Sequence, residues 1–228
     1  MTPARFGIVF AIVAAIAGAG ELIFLAANVR AFHSAPRAVW WTSDYFTDWT
    51  GALVTIVCTA AALRWRILAS PFWLGLATVA VVLVGTMVAW LGGWTQLSEQ
   101  GVGSAYHVSN LLAHIIAPWA MLLAWLFAVE HGGLKWRDAA LFMLFPLVYL
   151  AQMFARGALG HGYPYPQVDV GRVGWGSALT FAGTAALLFL ALGLVLVGID
   201  RLLTKRRVEP TMSRVVDPRR ADGDGADG

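Results

Sequence analysis

Residues 6–29 read FGIVFAIVAAIAGAGELIFLAANV, an apolar stretch in which Glu21 is the only charged residue. A helix that spans the hydrocarbon core of a bilayer needs about 20 mostly apolar residues. Arg5 precedes the stretch, as a basic residue precedes the apolar core of a signal peptide. The apolar run is too long for an ordinary signal peptide, so we expect it to be retained as a membrane span, with cleavage as the alternative.

The rest of the chain repeats this apolar pattern. Apolar residue types make up 59% and charged types 13% of the 228 residues, and the mean hydropathy is +0.68. A soluble domain is nearer half apolar and a quarter charged, so this composition excludes a soluble, disordered, disulfide-stabilised or nucleic-acid-binding class. We predict an all-α polytopic membrane protein with six transmembrane helices in one bundle, at residues 6–29, 45–63, 71–91, 108–129, 139–155 and 173–199.

The charged residues predict the domain organisation and the orientation. Residues 1–199 form the transmembrane domain, and residues 200–228 form a basic and then acidic, glycine-rich tail that we expect to be disordered. Twelve Lys and Arg residues lie on the side of the termini and four on the other side, so both termini are expected in the cytoplasm. Arginine outnumbers lysine, as is typical of GC-rich bacterial genomes, and we expect a bacterial plasma membrane protein.

Polar side chains are unevenly distributed along the predicted spans. The cytoplasmic halves of the first, fourth and sixth spans contain no charged residue, His, Asn or Gln, whereas the outer halves contain several. Ionisable groups that face acyl chains are costly, so these side chains are expected to face each other and water. The sequence therefore predicts a polar cavity that opens toward the outer face. Its principal members are Glu21, Asp48, Asn110, His114, Gln152 and Arg156.

The main candidates for chemistry are a histidine and two threonines. His114 lies within the fourth span, and a neutral imidazole can act as a general base near pH 7. Thr47 and Thr50 begin the second span, and a threonine hydroxyl attacks an ester when a base withdraws its proton. The alternatives are a structural histidine between helices and, for Thr47, a helix N-cap. Pro118 and Pro146 should each disturb their helix, Pro118 at the carbonyl of His114.

Further polar residues have candidate supporting roles. Glu21 or Asp48 could orient the imidazole as the third group of a triad. Alternatively, Glu21 is a protonated carboxyl bonded to a neighbouring helix, and Asp48 interacts with the N-terminus of its own helix. Arg156 could bind a carboxylate or phosphate group, or extend to the membrane interface. The candidate donors to an oxyanion are Ser109, Asn110 and Gln152.

The five histidines raise the question of a metal or haem. Only His114 lies clearly within a predicted span, and Cys58 is the only cysteine. Zinc needs three or four converging ligands. We therefore expect no metal and no cofactor, and membrane lipids as partners. No nucleic-acid partner is expected, and the sequence does not specify an oligomeric state.

Three short motifs occur in a recognisable order. They are Asp44-Tyr45-Phe46-Thr47 at the second span, Leu112–Pro118 in the fourth, and Tyr-Pro-Tyr-Pro at 163–166, which we expect to be a rigid extended segment at the outer face. Together, over residues 6–199, they resemble the androgen-induced protein and androgen-dependent TFPI-regulating protein family, especially its bacterial six-helix branch. The resemblance implies a membrane threonine hydrolase that cleaves fatty acid esters of hydroxy fatty acids, with Thr47 as nucleophile and His114 as its catalytic partner.

The leading hypothesis is an integral-membrane lipid-ester hydrolase that admits a fatty ester from the outer leaflet. Thr47 would be its nucleophile and His114 its general base. One alternative is a non-catalytic membrane protein that binds lipids or carries a small molecule in the same cavity. Another is a structural subunit whose Gly- and Ala-rich helices pack against a partner.

Overall fold

A computed structural model describes residues 1–91 and 104–212, with side chains as far as Thr204. This part of the chain is helical and contains no strand. Its α-helices are α1 Pro3–Phe32, α2 Ala35–Thr42, α3 Phe46–Ala62, α4 Pro71–Trp90, α5 Ala105–Leu111, α6 Ala117–Ala128, α7 Trp136–Phe142, α8 Leu144–Arg156 and α9 Val170–Met212. Two π-helical turns, Leu112–Ile116 and Gly157–His161, follow α5 and α8.

Five helical segments are long and apolar enough to cross a membrane: Pro3–Phe32, Pro71–Trp90, Ala105–Ala128, Trp136–His161 and Val170–Thr204. The remaining predicted span corresponds to α3, which is apolar but has only 17 residues. At 1.5 Å per residue α3 is about 26 Å long, somewhat shorter than a hydrocarbon core of about 30 Å. The all-helical architecture is confirmed, and the count of six spans stays a prediction.

Large apolar side chains cover the outside of the bundle. Phe127 is 78% exposed and Leu187 is 69% exposed, and Ile8, Ile56 and Val195 are also exposed along their helices. A soluble monomer rarely exposes large contiguous apolar patches to water. These outward faces are compatible with an integral membrane protein.

The buried apolar core lies mainly between α1, α3, α4 and α6. Phe10, Val54, Leu74, Met121 and Trp125 are almost completely buried there. α3 packs along α1 and also against α4. The C-terminus of α1 lies at the same end of the bundle as the N-termini of α3 and α5. The polar residues near these three termini therefore lie together at that end. The apolar core therefore supports a polar site at that end.

The two predicted proline effects coincide with irregular helix geometry. The π-helical turn Leu112–Ile116 surrounds His114 and ends two residues before Pro118. The fifth predicted span is interrupted at Met143, three residues before Pro146, where α7 gives way to α8. π-Helical turns insert an extra residue into a helix and occur often at functional sites.

The first link contains a short helix that the sequence analysis did not predict. The side chain of Ser34 caps α2 by accepting a hydrogen bond from the backbone amide of Arg37. Pro36 lies in the first turn, where a missing amide hydrogen costs nothing. α2 brings the aromatic residues Trp40 and Trp41 next to the start of α3.

The tail prediction is wrong for residues 200–212, because α9 continues to Met212 instead of ending at the expected boundary. Asp200 is buried, with one carboxylate oxygen 3.2 Å from His131 Nδ1 and the other accepting a bond from the Leu134 amide at 3.0 Å. These contacts attach α9 to the link between α6 and α7. Residues 213–228, where the tail was also expected to be disordered, lie outside the described residues.

Candidate active site

Thr47 lies in the first turn of α3, and the helix N-cap is Tyr45. The side chain of Tyr45 makes no capping bond; instead, the Tyr165 hydroxyl accepts the backbone amide of Phe46 at 2.9 Å. The proposed role of Thr47 as an N-cap is therefore wrong. Its hydroxyl points to the neighbouring helical segment, where Thr47 Oγ1 is 3.3 Å from His114 Nε2.

The backbone of its own helix orients the His114 ring. His114 Nδ1 is 3.1 Å from the backbone carbonyl oxygen of Asn110. A carbonyl only accepts, so Nδ1 must carry the hydrogen, and in the neutral ring Nε2 then keeps a lone pair. The Thr47 hydroxyl therefore donates to Nε2, which is the arrangement that a general base requires of its nucleophile.

The carboxyl groups of Glu21 and Asp48 do not take the orienting role considered for them, because the Asn110 carbonyl occupies Nδ1. Their side chains hydrogen-bond to each other instead. Because an ionised carboxylate only accepts hydrogen bonds, at least one carboxyl of this pair carries a proton. Gly51 makes room for the contact, since a Cβ at this position would overlap the Glu21 carboxyl. Glu21 therefore bonds to a neighbouring helix, as the alternative interpretation stated.

Thr47 and His114 lie between two cavities. The polar cavity has a volume of about 370 Å³, and the apolar cavity about 170 Å³. Four residues line both: Thr47, Val88, His114 and Tyr165. The polar cavity is also lined by Gly20, Glu21, Phe24, Trp41, Tyr45, Asp48, Tyr106, Ser109, Asn110 and Ala113. The hydroxyl and imidazole are therefore accessible from an apolar side and from a polar side.

The apolar cavity lies mainly between α4, α8 and α9. Its walls include Leu83 and Met87 of α4, Met153 of α8, and Phe181 and Ala185 of α9. These side chains offer almost no hydrogen-bonding groups. The cavity is suited to a hydrocarbon chain, because burial of apolar surface is favourable and requires no polar partner.

Tyr165 is a site residue that the sequence analysis missed. The Tyr-Pro-Tyr-Pro segment was interpreted as an extended segment at the outer face, but Tyr165 turns inward, where it accepts the Phe46 amide and lines both cavities. Burial raises the pKa of Tyr165 to about 12, so its hydroxyl remains a donor at neutral pH. One signal was available: Tyr45 cannot cap α3 well, so the first amides of that helix need an acceptor from elsewhere.

Arg156 and Gln152 lie outside both cavities. The Nε and Nη2 atoms of Arg156 are 2.8 and 3.0 Å from the two carboxylate oxygens of Asp44. Its other bonds go to Ser43 Oγ and the Trp40 carbonyl, and the guanidinium lies 3.8 Å from the Trp40 ring centroid. Gln152 also hydrogen-bonds to Asp44. Arg156 therefore anchors the first link to α8 and is not placed to bind a substrate anion in either cavity.

The other polar candidates have different surroundings. Thr50 is buried one turn after Thr47, beside a cavity of about 10 Å³ shared with Glu21, and its hydroxyl has no hydrogen-bond partner within the described part of the chain. Ser109 and Asn110 both line the polar cavity, and the Ser109 hydroxyl donates to the Tyr106 carbonyl. Of the two candidate nucleophiles, Thr47 is the one that reaches His114.

Within residues 1–91 and 104–204, no group of three or more His, Cys, Asp or Glu side chains is arranged to hold a metal ion. Cys58 is buried in α3, 3.5 Å from the sulfur of Met121. The site consists of a hydroxyl, an imidazole, a phenol and a carboxyl pair, which together can move protons and perform acyl transfer.

Comparison of the chain with protein-family models, with curated proteins and with solved structures finds no match.

Proposed function

We propose that this protein is an integral-membrane lipid-ester hydrolase with Thr47 as nucleophile and His114 as general base. The observation that carries the proposal is the 3.3 Å contact between Thr47 Oγ1 and His114 Nε2 at the junction of the two cavities. The sequence motifs that resemble membrane threonine hydrolases contain the same two residues. In this proposal the chain resides in a bacterial plasma membrane with both termini in the cytoplasm and the site in the outer half.

Acylation begins when His114 Nε2 removes the proton of Thr47. The Thr47 oxygen attacks the ester carbonyl carbon and forms a tetrahedral intermediate with a negatively charged oxygen. The Tyr165 hydroxyl, which lines both cavities together with Thr47, is the donor that we assign to that oxyanion. Collapse of the intermediate breaks the bond to the alcohol oxygen, which takes the proton from His114 and leaves as an alcohol.

Deacylation uses the same base. Water transfers a proton to His114 Nε2 and attacks the carbonyl carbon of the acyl-threonine. The second tetrahedral intermediate expels the Thr47 oxygen, which regains its proton from His114. The products of the cycle are a fatty acid and an alcohol, and the Asn110 carbonyl stabilises the imidazolium that forms in both steps.

The two cavities suggest how an ester would be oriented. The acyl chain would occupy the apolar cavity between α4, α8 and α9, and the alcohol portion would occupy the polar cavity. A chain in the apolar cavity would enter sideways from the lipid rather than from water. In this arrangement the ester carbonyl lies at Thr47, between an acyl side and an alcohol side.

The test uses purified full-length protein in dodecyl maltoside with a medium-chain p-nitrophenyl ester. Replacing Thr47 by Ala or His114 by Ala should each lower kcat/KM at least about 100-fold, the lower range for loss of a nucleophile or general base. Thr47→Ser should retain measurable turnover because the hydroxyl remains. A fluorophosphonate probe should label wild type on Thr47, as mapped by mass spectrometry.

The matched control is Thr59→Ala, which changes an exposed threonine farther along α3. It should leave both hydrolysis and labelling unchanged. Wild-type turnover in the Thr47→Ala and His114→Ala variants, with thermal unfolding temperatures equal to wild type, would contradict the proposal. Stabilisation of the protein by lipids without turnover or labelling would instead identify the non-catalytic lipid-binding alternative.

A further inference from the structure

The polar cavity has a chemical character that the hydrolytic steps do not require. Five aromatic residues line it, and four of them lie at the end of the bundle where α1, α2 and α5 meet. Phe24 lies at their centre, with its ring centroid 6.0 Å from that of Trp41, 6.3 Å from Tyr45 and 5.9 Å from Tyr106. Trp41 and Tyr45 are also in edge contact at 4.9 Å. An aromatic cluster therefore forms one side of the cavity.

The carboxyl pair contributes negative charge to the same cavity. Glu21 and Asp48 both line it, and a pair that shares one proton carries one net negative charge. The lining residues include no Lys or Arg. Residues 92–103, outside the described part, also contain no Lys or Arg, and Glu99 is their only charged residue.

We propose that the polar cavity binds an alkylated ammonium group in the alcohol part of the ester. Aromatic residues together with negative charge are the means by which proteins recognise quaternary ammonium groups. The volume of about 370 Å³ is within the usual range of about 300–1,000 Å³ for small-molecule sites. The assignment of this group to an ester substrate rests on the proposed hydrolase function, whereas the binding of the ammonium group does not.

The same charge argument disfavours a free carboxylate. The sequence motifs imply esters of hydroxy fatty acids, whose alcohol part ends in a carboxylate. A carboxylate in the polar cavity would meet the negative carboxyl pair without a cationic partner, and like charges at close range repel strongly. Arg156 cannot supply the missing partner, because its guanidinium is bound to Asp44, Ser43 and Trp40.

The linker between ester and ammonium should be short. Asp48 directly follows Thr47 on α3, so the charge pair is near the nucleophile. An O-acylcholine has two carbons between the ester oxygen and the nitrogen, whereas a phosphatidylcholine places a phosphate between them. The phosphate is a second anion for which the cavity offers no cation. We therefore assign the site to a simple choline-type ester.

The experiment compares esters that differ only in the group of interest. O-Lauroylcholine carries the ammonium group, 3,3-dimethylbutyl laurate is its neutral isostere with carbon in place of nitrogen, and 4-lauroyloxybutyrate carries a carboxylate. Wild type should show a kcat/KM at least about tenfold higher for the choline ester than for the isostere, a ratio in line with a desolvated cation–π contact. The carboxylate ester should be slowest. Dilauroyl phosphatidylcholine tests whether the protein accepts a choline group that is attached through a phosphate.

Two variants separate charge from shape. Glu21→Gln keeps one negative charge on Asp48 and a donor to it, so it should preserve the preference for the choline ester. The double variant Glu21→Gln with Asp48→Asn removes the charge and should reduce the preference about tenfold while hydrolysis of the neutral isostere persists. Glu130→Gln, an exposed carboxyl outside this cavity, is the matched control. If the double variant does not fold, the ratio of the wild-type kcat/KM values for the choline ester and its isostere still tests the proposal.

A binding measurement distinguishes the two proposals. Tetramethylammonium chloride, compared with sodium chloride at equal ionic strength, should raise the thermal unfolding temperature of the catalytically silent Thr47→Ala variant. Stabilisation without ester turnover in wild type would support the ammonium site and contradict the hydrolase. Equal hydrolysis of the choline ester and its isostere, without tetramethylammonium stabilisation, would overturn the ammonium site and leave the hydrolase standing. Faster hydrolysis of the carboxylate ester or of the phospholipid would overturn the assignment to a choline-type ester.

Discussion

At the scale of single residues, the candidate site depends on which partner each ring nitrogen of His114 contacts. His114 uses Nδ1 for a backbone carbonyl and presents Nε2 to Thr47. A carboxylate at Nδ1 would also orient the ring, but here the two nearby carboxyls bond to each other. Backbone orientation leaves the carboxyl pair available for the adjacent cavity, so the proton transfer and the charge recognition use separate groups.

Tyr165 accepts the first backbone amide of α3 and lines both cavities with Thr47, and Tyr165→Phe tests its structural role and its proposed catalytic role. Loss of the hydroxyl leaves the Phe46 amide without its acceptor, which should lower the free energy of unfolding by about 1–3 kcal/mol. Loss of an oxyanion donor should lower kcat about 100-fold with little change in KM. Steady-state kinetics and thermal unfolding measure the two effects separately.

The Tyr163→Phe variant is the control for this prediction, because Tyr163 belongs to the same segment but does not line either cavity. A Tyr165→Phe protein that is less stable but turns over at the wild-type rate would limit Tyr165 to positioning α3. A normal kcat would therefore contradict its role as oxyanion donor.

At the scale of elements, the close packing of α1 on α3 makes the carboxyl pair possible. Gly51 is the position at which α3 leaves space for the Glu21 side chain of α1. The π-helical turn Leu112–Ile116 contributes His114, which contacts Thr47 of α3. α1, α3 and this turn therefore meet at the site. Their approach depends on the small residue Gly51 and on the irregular helix geometry around His114.

Gly51→Ala should break the bond between Glu21 and Asp48, because the added methyl group occupies the position of the Glu21 carboxyl. We expect the free energy of unfolding to fall by about 1–3 kcal/mol, the usual cost of overpacking. Thermal unfolding in detergent measures this change. Truncating the clashing side chain should remove most of the cost, so Gly51→Ala should be nearly neutral in a Glu21→Ala background.

Gly183→Ala is the matched control for this comparison. Gly183 lies in α9, and a Cβ there would meet no atom within 4 Å. Alanine favours a helix over glycine by about 0.8–1.0 kcal/mol, so this variant should be as stable as wild type or more stable. An equal loss of stability in both glycine variants would contradict the proposed contact between Gly51 and Glu21.

At the scale of the whole molecule, a contact between polar side chains of distant segments holds each end of the bundle together. At one end Arg156 of α8 binds Asp44 of the first link. At the other end Asp200 of α9 binds His131 of the link before α7. Both pairs join segments that are far apart in the chain, and the first holds α2 and the start of α3 beside the polar cavity.

Arg156→Ala should be destabilising because it leaves the half-buried Asp44 carboxylate without its partner. Removing one member of a fully buried pair typically costs about 3–5 kcal/mol, which is the upper bound for this partly exposed pair. The contact with the Trp40 ring is lost as well. Thermal unfolding of the purified protein in detergent should show a clear decrease in the midpoint.

Arg172→Ala changes an exposed arginine and should leave the unfolding midpoint within error of wild type. If Arg156→Ala were equally harmless, the ion pair would not hold the first link in place. The proposed arrangement of the polar cavity would then need another support.

Much of the architecture follows from local sequence, because a run of apolar residues must be helical in lipid wherever it lies in the chain. The predicted spans therefore agree with the helices to within a few residues at most ends. The position of His114 within one apolar run and that of Thr47 near the start of another also follow from local sequence. The positions and motifs of both residues identify them as candidates without any knowledge of the contact between them.

The contacts between distant residues could be decided only by the tertiary structure. The inward turn of Tyr165, the Arg156–Asp44 pair and the anchoring of α9 by Asp200 each join segments separated by more than sixty residues. Hydrophobic periodicity specifies which residues avoid water but not which polar groups meet. For this protein the sequence determines where the helices are, and side-chain packing determines that Thr47 reaches His114 and that Glu21 reaches Asp48.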